Sequence, residues 1–442
     1  MSGVCCRNLY NSRLMLYYLI HIAVLISLLW LFSKYYVETS NKLYFFFGVS
    51  AKLLSGLCLW LLVVVVLGSE SDSITYLNAS LFWKDLFFED PSDYISRFFT
   101  SSESISGIFT RQPRAVFFTK IVSLVSILTG GSYLINTLYF SLISFVGSWF
   151  LFTRLSITDW QKRNIWWSIL FLFPGLFIWT SGVLKETIVV SSLFVLTAVY
   201  LDYRNQIKGV NIRNLLLVMI SGILLIKVKY YVAAVFVPIL IFAFYDQFIK
   251  KNERFGKGFF KYLIPVVLLM MATVFIINLS PNFEPGNLLN RIVIDHNRLL
   301  KLSLNPDFRI NYHDFNPDYQ SFMRNAPIAF FSGFFRPMVW EGTTVLQILA
   351  GLQNTVLLIV ILLAVTQQIL HKKKPSLEVF LLIGYSVIMA VFLAFSTPNF
   401  GTLERYKVLY QPFMLFALAT YLKQISATRK LLLRPSLKGE NK

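Results

Sequence analysis

Long apolar runs are separated by connections of alternating charge, lysine and arginine gathering on every second one and acidic residues on the others. A soluble chain has no reason to sort its charges this way, whereas a membrane protein keeps its basic connections on the cytoplasmic side. The composition agrees: 56% of the 442 residues are hydrophobic and 14% charged, too apolar for a soluble domain or a disordered one. The formal charge of +19 would suggest a nucleic-acid partner in a soluble protein. Here the excess lies on short connections such as Lys250, Lys251, Arg254, Lys257 and Lys261, so the lipid bilayer is the expected partner and nucleic acid is not.

A bilayer core takes about 20 apolar residues per helix. The expected spans are 14–33, 44–68, 134–153, 165–181, 185–202, 213–227, 230–247, 262–279, 343–366, 377–396 and 407–424. The expected fold class is therefore all-α, a polytopic transmembrane bundle of about eleven passes forming one integral membrane domain over 1–442. The basic connections 154–163, 204–213, 250–261, 371–374 and the tail from Lys423 define the cytoplasmic side. The outward side then holds a first loop over 69–133, the turns at 181–186 and around Lys227, a long loop over 280–342, and the turn 397–407. This scheme puts Arg7 and Arg13 outside, against the rule. The first run has no small-residue cleavage site behind it and is expected to be retained. Within 69–133 the run 116–128 is too short to cross, and reads either as an outward interfacial helix or as a structural helix plugging the bundle.

The unusual polar groups concentrate on the outward connections. Asp72, in Ser71-Asp72-Ser73-Ile74-Thr75-Tyr76, reads as a general base whose basicity partial desolvation would raise, or as a helix N-cap. Lys185 and Glu186 stand side by side at a junction between apolar runs, where charge is expensive unless paired or functional. Lys227 and Lys229 interrupt a long apolar stretch and suit a phosphate, unless they only snorkel to the interface. Arg336, Trp340 and Glu341 combine a stacking face with charged hydrogen-bond partners, as a saccharide site requires, although an aromatic belt also explains Trp340. Arg405 and Lys407, on the less positive side, call for an anion such as a lipid diphosphate.

Other signals are blander. His296 and His313 lack metal-ligand spacing and read as loop polarity; Cys5, Cys6 and Cys58 form neither a disulfide framework nor a metal set. No glycine-rich phosphate loop is present, so a donor should be lipid-linked rather than a nucleotide, and no cofactor is expected.

The order of these segments resembles that of the lipid-dependent glycosyltransferases of the GT-C fold, a group that includes aminoarabinose transferases and protein mannosyltransferases. The resemblance covers roughly 44–260: an acidic outward segment after an early span, an interfacial helix, an acidic turn, then a lysine at the next outward turn. The stretches from Trp179 to Glu186, Phe335 to Glu341 and Asn399 to Lys407 also look like those of membrane transferases or polymerases from bacterial surface-polysaccharide loci. The resemblance implies that Asp72 is the general base, that Glu186 is the second acidic position, and that Lys227 is the lysine of the following turn. Three features depart from the pattern: an extra span precedes the first acidic loop, Ser73 stands where a second acid is frequent, and Lys185 precedes Glu186. The missing acid argues against a metal, although a divalent ion stays open.

The resulting expectation is a glycosyltransferase of the bacterial cytoplasmic membrane, active on its outer face in surface-polysaccharide assembly. It would move sugar from a polyprenyl-linked donor to a saccharide or lipid acceptor. Asp72 and Glu186 would be catalytic; Lys227, Lys229, Arg405 and Lys407 would hold the carrier phosphate; Arg336, Trp340 and Glu341 would hold saccharide. The alternatives are a polysaccharide polymerase, using arginines such as Arg291, Arg298 or Arg324 of the long loop, and a lipid-linked saccharide flippase or transporter.

Overall fold

The computed structural model describes residues 2–68, 71–100, 112–206, 211–251, 260–279, 283–284, 286–301, 308–371 and 375–421. These residues are mainly helical, with an irregular stretch over 308–318, an isolated bridge between Arg309 and Asn399 and no strand among them. In chain order the helices are α1 (Ser2–Tyr36), α2 (Lys42–Leu61, continued by a wider turn over Leu62–Leu67), α3 (Asp72–Glu89), α4 (Pro91–Thr100), α5 (Pro113–Leu128) and α6 (Tyr133–Thr158). They continue with α7 (Arg163–Phe171), α8 (Pro174–Trp179), α9 (Lys185–Arg204), α10 (Ile212–Lys251), α11 (Phe260–Leu279) and α12 (Leu288–Lys301). The last five are α13 (Tyr319–Phe335), α14 (Val345–His371), α15 (Leu377–Ser396), α16 (Phe400–Lys407) and α17 (Gln411–Ala419).

Seven described helices are long and apolar enough to cross a membrane: Met15–Tyr36, Thr39–Leu67, Tyr133–Thr158, Lys185–Arg204, Ile212–Lys251, Val345–Leu370 and Leu377–Ser396. Four of the eleven expected passes do not appear as separate long helices here, for local reasons. The run 165–181 is broken, because Pro174 cannot donate to a continuing helix and disfavours helical backbone at Phe173, so α7 ends and a one-and-a-half-turn α8 begins. The expected 407–424 pass becomes α16 and the nine-residue α17, its end lying outside the described residues. The apolar part of α11, Leu263–Leu279, is shorter than a full crossing.

The runs 213–227 and 230–247 meet at Lys229, whose backbone is non-helical (φ −143°, ψ 76°). Beyond it, α10 runs parallel to α9: Lys229 meets Glu186, Phe244 packs on Tyr200 with centroids 5.2 Å apart, and the Lys251 ammonium donates to the Tyr203 carbonyl. A straight α10 would carry Ile212 about 25 Å past Lys229. Instead Ser221 and Leu224 line a cavity with Ile188 and Val195 of α9, so the first half of α10 runs back along α9 and the chain turns at Lys229.

Charges collect at two ends of this bundle. At one, Arg154 pairs with Asp202 at 3.0 Å, Arg204 with Glu378 at 2.9 Å, and Lys162 donates to the Thr420 carbonyl at 3.0 Å. The other end carries Asp72, Glu186, Lys229 and Arg405. There α5 is covered rather than bare: Phe118 packs against Tyr76 and Phe140, and Ser126 meets Ser80 at 3.1 Å. The segments α3 to α5 thus form a small helical cap over α6 and the turn of α10.

Candidate functional site: a chain of alternating charges

Four local devices aim the charged side chains. Ser71 caps α3 by accepting from the Ile74 amide, so the capping role falls to Ser71 and Asp72 becomes the first helical residue, its carboxylate free to reach away. The non-helical stretch 180–184 after α8 leaves Glu186 in the first turn of a new helix. The non-helical Lys229 turns α10 back at the same level. Asn399 caps α16 by accepting from the Thr402 amide at 3.2 Å, which starts the short helix carrying Arg405.

These devices bring together residues more than 300 positions apart. Arg405 Nη1 lies 2.7 Å from Asp72 Oδ2, and Arg405 Nε lies 3.6 Å from Glu186 Oε1. Lys229 Nζ donates to that same Glu186 oxygen at 2.7 Å and sits 3.8 Å from the Tyr406 ring centroid. The order is carboxylate, guanidinium, carboxylate, ammonium. Its two ends differ: the Glu186 side chain is 2% exposed, whereas that of Asp72 is 52% exposed. Glu186 therefore serves from inside, and Asp72 is the member an outside molecule can touch. Burial works against the charge of Arg405, but Glu186, Tyr406 and Asp72 outweigh it and raise its pKa well above the ordinary value.

The other face of α16 is locked into the bundle. Lys407 is fully buried, donating to Glu404 at 3.0 Å and to the Arg336 carbonyl at 2.6 Å. Glu404 also accepts from Gln353 at 2.9 Å and Asn354 at 3.1 Å. Burial, only partly opposed by Glu404, lowers the Lys407 pKa. This is a clamp holding α16 in place, so Lys407 is not presented to a phosphate as its residue type suggested. Arg336 and Glu341 pair at 2.5 Å, and Trp340 beside them is 76% exposed. Their described link to the charge chain runs through Lys407 and α16, not by direct contact.

No protein-family profile matches the chain, and neither does a curated protein or a solved structure. The site therefore has to be read from its own geometry.

Of the carrier-binding set, Lys229 and Arg405 are engaged with carboxylates, while Lys227 is exposed two residues from the turn. Sequence reasoning passed over Arg114, whose guanidinium carbon lies 4.8 Å from the Tyr230 ring centroid, and gave Lys185 no role; its ammonium lies 4.8 Å from that of Tyr76. Tyr406 and Glu404 were also missed, since nothing in a linear sequence distinguishes them from neighbouring polar residues. His296 is buried against the Phe395 carbonyl at 2.9 Å, in keeping with a structural part. Among the described residues no three His, Cys, Asp or Glu side chains come together as a metal site.

Proposed function

We propose that this chain is a membrane-embedded glycosyltransferase that moves a sugar or oligosaccharide from a polyprenyl-phosphate-type lipid to an acceptor hydroxyl at the Asp72 end of the bundle. The observation that carries the reading is the charge chain Asp72, Arg405, Glu186, Lys229, with its one accessible carboxylate. Asp72 binds Arg405 through Oδ2 and accepts the acceptor's proton on its other oxygen. As the acceptor oxygen bonds to the anomeric carbon, the bond from that carbon to the lipid phosphate breaks, and the phosphate leaves with the electron pair. Cations around the chain stabilise the charge that develops. Glu186 is a positioning residue, holding Arg405 and Lys229 from the buried side. Positive connections at the opposite end orient the Asp72 end outward, on the outer face of a bacterial cytoplasmic membrane.

The rivals fit less well. Arg291 and Arg324, which a polymerase could use to hold a second lipid-linked chain, pair with Asp295 at 3.0 Å and Asp314 at 3.5 Å. A flippase would be expected to put its charges along a path between the two ends, whereas this chain of charges is gathered at one.

The test is transfer in membranes carrying the full chain, read as release of polyprenyl phosphate from a polyprenyl-phosphate-sugar pool. Asp72→Asn should reduce turnover at least a hundredfold, within the range a general base contributes, with unchanged protein level and melting midpoint. Full turnover in that variant would end the proposal.

A further inference from the structure

Between α1, α6, α9 and the first half of α10 lies a cavity of about 440 Å³, within the range of ligand cavities. Its wall is mostly apolar and includes Leu28, Phe32, Leu142, Ile143, Val195 and Leu224. Its serines add little polarity: the Ser191 hydroxyl, for example, is spent on the Thr187 carbonyl at 2.7 Å. Such a space suits a hydrocarbon chain.

The ends of its walls are informative. Ile188 and Leu224 line the cavity, and residues three apart on a helix share a face. Lys185 is three residues before Ile188, at the start of α9, and Lys227 is three residues after Leu224, just before the turn at Lys229. Both lysines therefore stand at the same end of the cavity, the end of the charge chain. Arg114, at the start of α5, rests on Tyr230 of that same turn. Unlike Arg405, Lys229 and Lys407, none of these three cations forms an ion pair among the described residues. Lys185 and Arg114 are half-buried and Lys227 is exposed, and three cations with no ion pair among the described residues suit an anion.

We propose that Lys185, Lys227 and Arg114 seat the phosphate of a long-chain prenyl phosphate whose first isoprenoid units lie in the cavity between α1, α6, α9 and α10. The choice of a prenyl phosphate over other anionic lipids rests on the transferase reading; the seat itself rests on the apolar cavity and the cations at its end. The paired cations of the charge chain then act on the transferred sugar, and the unpaired ones on the carrier.

The experiment is photocrosslinking of the purified full chain in lipid nanodiscs with a diazirine-bearing long-chain prenyl monophosphate. Label should appear on peptides holding Leu142, Ile143 or Val195, and unlabelled prenyl phosphate should compete while phosphatidylglycerol in equal amount does not. Lys185→Met with Lys227→Met should weaken labelling about tenfold, corresponding to roughly 1.4 kcal/mol, and Lys185→Arg should retain it. Val195→Trp, which fills the cavity without touching a cation, should remove it, with the melting midpoint checked for each variant. Equal competition by phosphatidylglycerol, or labelling unchanged in both the lysine and the tryptophan variants, overturns the proposal. The readout is independent of transfer. Labelling without sugar transfer in the wild type would refute the transferase and leave the seat standing; normal transfer with no specific labelling would do the reverse.

Discussion

Glu186 and Lys229 illustrate how a buried charge is tolerated. Removing one partner of such a pair strands the other in a low-dielectric interior at a cost of about 3–5 kcal/mol, whereas replacing both with apolar residues is often nearly neutral. Glu186→Gln alone should therefore lower the unfolding midpoint in detergent by several degrees, Lys229→Met alone should do the same, and Glu186→Leu with Lys229→Met should recover most of the loss. If the double variant falls as far as the sum of the single changes, the two residues are not energetically coupled and the chain of charges is only a geometric coincidence. At this scale the sequence was informative about where charge sits and silent about its partner. Asp72, Glu186 and Arg405 stood out because each sits on an outward connection between apolar runs. Lys227 and Lys229 looked alike, and only packing distinguished the exposed lysine from the one on Glu186.

Helix pairing in this bundle depends on small residues that let backbones approach. Gly147 of α6 faces Ser191 of α9 so closely that an added Cβ would lie 2.8 Å from the Ser191 Cα. Gly147→Ala should therefore cost about 1–3 kcal/mol by overpacking, seen as a lowered melting midpoint. Gly384→Ala, where an added Cβ meets nothing within 4 Å, should leave the midpoint unchanged or slightly raised. Equal effects from the two would show that close approach at Gly147 is not what holds α6 to α9. The break before α8 follows similar logic. At the other end of α8 the free carbonyls are taken up by α2, where buried Lys52 donates to the Leu176 carbonyl at 3.1 Å and to Thr180 Oγ1 at 2.7 Å, and Ser55 donates to the Phe177 carbonyl. The proline announced this break in the sequence. The lysine that satisfies the end of α8, in the middle of an apolar run on another helix, announced nothing.

Across the whole molecule, two charged ends separated by an apolar middle predict a simple labelling pattern. Trp340 and Gln161 are both exposed, at the Asp72 end and the Arg154 end respectively. In a cysteine-free background, Trp340→Cys and Gln161→Cys should react with a membrane-impermeant maleimide from opposite faces of sealed vesicles. Reaction of both from one face would refute the arrangement of passes. The same large-scale order was partly readable beforehand, because transferring a charge out of water is costly enough to be visible residue by residue. That cost determined the membrane class, the helical architecture, the segregation of basic connections and the places where apolar runs end. It did not determine which runs stay continuous as long helices, which lysine meets Glu186, or that Asp72 and Arg405 would touch across 333 positions. Those outcomes belong to the tertiary structure, since a side chain at a helix end can point to a partner, to another helix or to water, and only the packing of the other segments around it decides which is lowest in free energy.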